Sequence, residues 1–61
     1  MMYEQTLNEI INVHPETKLL MDHYKINYVE GAMDTFEEAA LIMGLSVTVL
    51  GSEFDHLIGL A

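Results

Sequence analysis

The chain has 61 residues, ten acidic against two basic side chains for a formal net charge of −8, and neither cysteine nor tryptophan. That length allows one domain, 1–61, and the missing cysteines exclude disulfides, thiolate nucleophiles, thiolate zinc sites and cysteine-ligated iron–sulfur clusters. A domain so small buries only about 60% of the surface its unfolded chain exposes, which leaves a partner chain as the open source of extra stability.

Thr6-Leu7-Asn8-Glu9 is a capping box, in which Thr6 accepts from the Glu9 N–H and the Glu9 carboxylate reaches back. Leu7, Ile10 and Ile11 recur at helical spacing behind it, and Pro15 stops this first helix before His14. Pro15 suits the first position of a second helix, with Glu16 adding negative charge at its positive end. Leu19, Leu20, His23 and Tyr24 form an inward stripe on that helix, which is expected to end near Lys25. A connector from Ile26 to Asp34 follows, with Tyr28, Val29 and Met33 interleaved among Asn27, Gly31 and Asp34. A loop this apolar either packs inward or faces a partner.

Thr35-Phe36-Glu37-Glu38 is a second capping box with two acids in its first turn. Phe36, Ala39, Ala40 and Met43 continue at helical spacing, and Gly44 stands where a left-handed C-terminal glycine belongs. Residues 45–50 alternate and are β-branched, so local propensity favours a strand. A lone strand would have no partner, so the expectation is a helix capped by Ser46, with Val47, Leu50, Phe54, Leu57 and Ile58 as its apolar stripe. A break at Gly51, with Ser52 recapping, stays open. No internal repeat or domain boundary is evident. The expected fold is all-α, a compact orthogonal array of four short helices.

Hydrophobic residues make up 51% of the chain, too many for a disordered acidic tail. The negative charge argues against nucleic acid and anionic membrane as partners, and suits a basic protein surface. Met1 to Gln5 shows neither a basic nor an apolar leader region, and the longest apolar run, Ala39 to Leu45, is far below the roughly 20 residues that span a bilayer. A cytoplasmic protein is expected.

Histidine is the residue type suited to metal ligation and to proton transfer near neutral pH, so His14, His23 and His56 are the candidates for either role. None forms a helical His pair, His14 precedes a proline where capping is the plainer account, and His23 lies beside Tyr24. Glu30, Asp34, Glu37 and Glu38 crowd one helix start, but capping and the helix dipole account for most of them. Glycine-rich phosphate loops and nucleophile elbows are missing, and Lys18 and Lys25 are the only bases. The reading is a non-enzymatic chain without metal or cofactor.

The stretch from Ile26 to Ala40 resembles the small helical domain at the N-terminus of ScdA-type iron–sulfur-cluster repair proteins and related short domains of unknown function. That pattern runs glycine, apolar, Asp, aromatic, a cysteine pair, two glycines, a spacer, Ser or Thr, Leu, any residue, Glu, Ala. Thr6, Pro15, Gly44-Leu45 and Val49-Leu50 agree with its flanks, so the likeness runs from about Thr6 to Leu57. The paired cysteines fall on Val29 and Glu30, the first glycine on Lys25 and the second loop glycine on Ala32, so no thiol role carries over. The resemblance implies four packed helices and an association with redox or iron–sulfur protein systems.

These readings converge on an interaction or accessory module that binds a protein partner or a second copy of itself. Tyr28, Val29, Glu30, Gly31 and Met33 are the expected contact residues, because bulky apolar side chains replace the functional loop of the family. The alternatives are an acidic inhibitor or nucleic-acid mimic covering a basic protein surface, and a small metal-binding protein using the histidines and nearby acids.

Overall fold

The computed structural model describes residues 3–60; Met1, Met2 and Ala61, part of the leader reading and of the domain 1–61, lie outside the described residues. Four helices follow in order: α1 Leu7–Val13, α2 Thr17–His23, α3 Phe36–Ile42 and α4 Val47–Leu57. The fold is all-α, with no strand among the described residues, and positions 47–50 open α4 rather than forming a strand. Among the described residues no helix is long and apolar enough to cross a membrane.

The first three helices have seven residues each, too few to persist in water on propensity alone. The starts of α1 and α3 show what holds them. The Thr6 hydroxyl accepts from the Glu9 N–H at 3.1 Å, and the Glu9 carboxylate accepts from the Thr6 N–H at 2.9 Å. Thr35 and Glu38 repeat both bonds at the same lengths, 3.1 and 2.9 Å. Both capping boxes are therefore formed.

The remaining first-turn donors cross to the opposite helix start. Leu7 N–H reaches the Asp34 carbonyl and Asn8 N–H the Ala32 carbonyl, each at 2.9 Å; Phe36 N–H reaches Gln5 at 2.9 Å and Glu37 N–H reaches Tyr3 at 3.2 Å. Thr6 and Thr35 face each other in an isolated antiparallel bridge. One constant sequence offset relates all these pairs, and it also matches buried Leu7 with Phe36, Ile10 with Ala39, and Met21 with Leu50. The chain thus contains two quasi-equivalent helix pairs, α1–α2 and α3–α4. Sequence reading saw no repeat because the halves share little beyond Thr-x-x-Glu, and their core side chains differ in size.

The ends of α2, α3 and α4 share one geometry, while α1 closes at His14 without a positive φ. At α3, Gly44 takes φ 69°, its N–H bonds to Leu41 at 3.1 Å, and Leu45 N–H bonds to Ala40 at 2.8 Å. This is a Schellman turn. Gly59, φ 84°, does the same for α4. Lys25, φ 59°, closes α2 identically, with Lys25 N–H to Asp22 at 3.1 Å and Ile26 N–H to Met21 at 2.8 Å. Lys25 is the one described non-glycine residue with positive φ.

The expected stripe on α2 is corrected: Leu19 and His23 are exposed, Leu20 and Tyr24 half-buried, while Thr17 and Met21 are buried. Glu16 is the N-cap of α2, and Pro15 stands one residue ahead of it rather than at the first helical position. They form a tight turn in which Lys18 N–H bonds to Pro15 and Leu19 N–H to Glu16. The Thr17 hydroxyl then donates to the His14 carbonyl at 2.7 Å, so this polar side chain enters the core with its partner supplied. Thr17 and Met21, one helical turn apart, become the inward face.

The core comprises Leu7, Ile10, Met21, Ile26, Phe36, Ala39, Ala40, Leu50 and Phe54. Phe36 meets Phe54 edge to face with centroids 5.0 Å apart, and Tyr3 stacks on Phe36 at 5.9 Å. α4 runs through Gly51 without a break, burying Leu50, Gly51 and Phe54 while Leu57 turns partly to solvent. Ser46 caps it by accepting from the Val49 N–H at 3.3 Å.

Candidate functional site

The connector between α2 and α3 is an ordered series of turns. Buried Ile26 anchors its start. The Asn27 side-chain oxygen accepts from the Val29 N–H at 3.1 Å and the Glu30 N–H at 2.9 Å, an Asx turn that replaces missing backbone partners. Gly31 N–H bonds to the Asn27 carbonyl at 3.2 Å and Asp34 N–H to the Gly31 carbonyl at 3.0 Å. A Cβ at Gly31 would stand 2.6 Å from the Asn27 carbonyl oxygen, so glycine is required by close packing rather than by its dihedral angles. The far end is held to α1 through the carbonyls of Ala32 and Asp34.

The five contact residues expected from sequence separate into three positions. Tyr28 is half-buried, packs against the core, and hydrogen-bonds to the Asp22 carboxylate, a contact that pushes its phenol pKa up. Val29 and Met33 stand 77% and 76% exposed on the connector. Glu30 and Gly31 line a cleft of about 280 Å³ between the connector, the start of α1 and the end of α3. Leu7, Ile26, Ala39, Ile42 and Met43 form its apolar wall, and Lys25, Asn27 and Asp34 complete the rim.

Sequence reading missed Ile42 as part of this site. The available signal was an isoleucine off the α3 core stripe, and it is 71% exposed at the cleft. Met43, assigned to the stripe, also sits at the cleft and is 40% exposed.

A second depression of about 350 Å³ adjoins the paired helix starts, lined by Tyr3, Glu4, Thr35, Glu37 and Glu38. Glu38 is engaged in its capping box, and the bond from the Thr35 N–H lowers its carboxyl pKa; Glu9 is lowered in the same way by Thr6. Across the molecule, the Tyr24 hydroxyl donates to the Glu53 carboxylate, joining α2 to α4 and raising the phenol pKa.

The histidines sit apart in role. His14 closes α1, His23 meets Tyr24 edge-on at 5.0 Å, and His56 lies in the last turn of α4. Among the described residues no three His, Asp or Glu side chains gather closely enough to hold a metal ion. The connector cleft offers apolar contact with a few charged groups at its mouth, which is binding chemistry. No family model matches the chain, and neither a curated protein nor a solved structure matches it.

Proposed function

We propose that the chain is a non-enzymatic, cytoplasmic interaction module that presents the connector face to a protein partner. The ScdA-type likeness places it in the setting of redox or iron–sulfur protein systems. One observation carries the reading: a connector fixed at both ends and internally bonded nevertheless leaves Val29 and Met33 more than three-quarters exposed. Apolar side chains held out on a rigid loop beside an apolar cleft are the anatomy of a contact surface. Tyr28 serves this surface from beneath, holding the loop through Asp22. Lys25 departs from the family pattern, which carries glycine there, yet it holds the left-handed conformation that glycine favours.

The test is a photo-crosslinking amino acid placed at Met33 and, separately, at Leu19, an exposed residue on α2 (70%). Adducts formed in cells at position 33 and not at 19 are expected. An adduct of twice the chain mass identifies a second copy, and any other mass a partner. Equal labelling at both positions, or labelling at 19 alone, overturns the reading.

A further inference from the structure

We infer that the connector cleft receives a segment of a partner protein bearing one large apolar side chain flanked by lysine or arginine; this rests on the docking reading above and specifies its partner. The cleft volume, about 280 Å³, lies just below the range for small-molecule pockets, about 300–1,000 Å³, which suits one inserted side chain better than a bulky ligand. Its wall is aliphatic, and Val29 and Met33, next in sequence to the cleft residues Glu30 and Asp34, stand exposed on the same connector.

The charge around it is one-sided. Glu30 and Asp34 stand at the mouth against Lys25 alone, on a chain whose formal net charge is −8. A second copy is the less favoured occupant, because a two-fold contact sets a patch against itself and would oppose these carboxylates on chains already at −8. A basic-flanked segment meets the same rim with attraction, which also speeds encounter. The connector is ordered by its own hydrogen bonds, so docking freezes little of it.

Random heptapeptides displayed on phage are panned on the whole chain at low salt, and the enriched sequences are remade as free peptides. The expected winners carry an apolar residue flanked by Lys or Arg. Met33→Ser with Ile42→Ser should weaken them at least about fivefold, as loss of an apolar anchor does. Glu30→Gln should weaken them about two- to fivefold, the range for an exposed ion pair, and added salt should do the same. Circular dichroism of each variant confirms that it is folded.

Winners with apolar residues but neutral or acidic flanks, still sensitive to Met33→Ser and Ile42→Ser, overturn the charge inference and leave the docking reading standing. No enrichment, or peptides indifferent to both substitutions, overturns the two together. A wild-type dimer by light scattering that Met33→Ser and Ile42→Ser dissolve overturns the inference in favour of a second copy.

Discussion

Gly51→Ala tests the packing of the described N-terminal residues on α4. In open space, alanine inside a helix is more favourable than glycine by about 1 kcal/mol. Here a Cβ would stand 2.7 Å from Tyr3 Cε1, 2.9 Å from its hydroxyl oxygen and 3.2 Å from Cζ. The ring has to move, and it is half-buried and stacked on Phe36 at 5.9 Å. Full displacement would forfeit an aromatic pair worth about 0.5–1.5 kcal/mol and roughly 100 Å² of ring burial, or about 2.5 kcal/mol. A partial shift loses part of that, so after the helical gain the net expectation is a loss of about 1–2 kcal/mol. For a domain this small each kcal/mol moves the melting temperature by about 4–8 °C. In a Tyr3→Ala background nothing obstructs the methyl group, and the same substitution should add about 1 kcal/mol. The sign therefore reverses, a coupling of about 2–3 kcal/mol in a double-mutant cycle read by urea unfolding. Gly51→Ala that stabilises equally with and without Tyr3 would refute the contact.

Two further expectations concern the helix ends. Lys25→Gly removes a side chain from the left-handed region and should raise stability by about 0.5–1 kcal/mol, seen as a higher urea midpoint at unchanged slope; an unchanged or lower midpoint would count against the Schellman turn at α2. The pH dependence has two limbs of opposite origin. The Glu9 and Glu38 carboxyls are lowered from 4.5 by their capping boxes, so their contribution is full above that value and lost as pH falls through the folded pKa. The Tyr24 and Tyr28 phenols are raised from 10.0 by Glu53 and Asp22, so theirs is full below pH 10 and lost as pH rises further. Glu38→Gln should flatten the acid limb and Tyr24→Phe the alkaline one, and a variant with the wild-type profile would show that its bond is not made.

The parts legible in sequence were those encoded by short-range chemistry. Thr6 with Glu9 and Thr35 with Glu38 announce helix starts, because a hydroxyl and a carboxylate three residues apart satisfy two free donors. Gly44 announces an end. The inward face of α2 was not legible, since Thr17 brings its partner, the His14 carbonyl, from a turn that periodicity does not see. Lys25 hid a left-handed turn behind a side chain that rarely adopts one. The site divided along the same line. An apolar connector could be recognised, and Ile42 stood off the α3 core stripe, but that it lines a cleft with the connector comes from tertiary placement, which no local pattern encodes.

Tyr28 differs in burial from Val29 and Met33 because it packs against the core and they do not. The offset relating the two halves pairs Gly51 of α4 with Asp22 of α2. Tyr3 lies over Gly51, and Tyr28 hydrogen-bonds to Asp22. The two contacts differ in kind: Gly51 is buried beneath Tyr3, whereas Asp22 is exposed and accepts a hydrogen bond from Tyr28. The first tyrosine sits in the residues ahead of α1 and the second in the connector. Both tyrosines pack against the core, which makes Tyr28 part of the scaffold, as Tyr3 is. The halves differ ahead of the helix starts, where the offset carries Glu4 onto Met33, while Val13 at the end of α1 and Ile42 at the end of α3 are both exposed aliphatics. Apolar side chains therefore gather beside the α3 half, where the cleft opens, and it is there rather than at Tyr28 that substitution should alter binding without altering the fold.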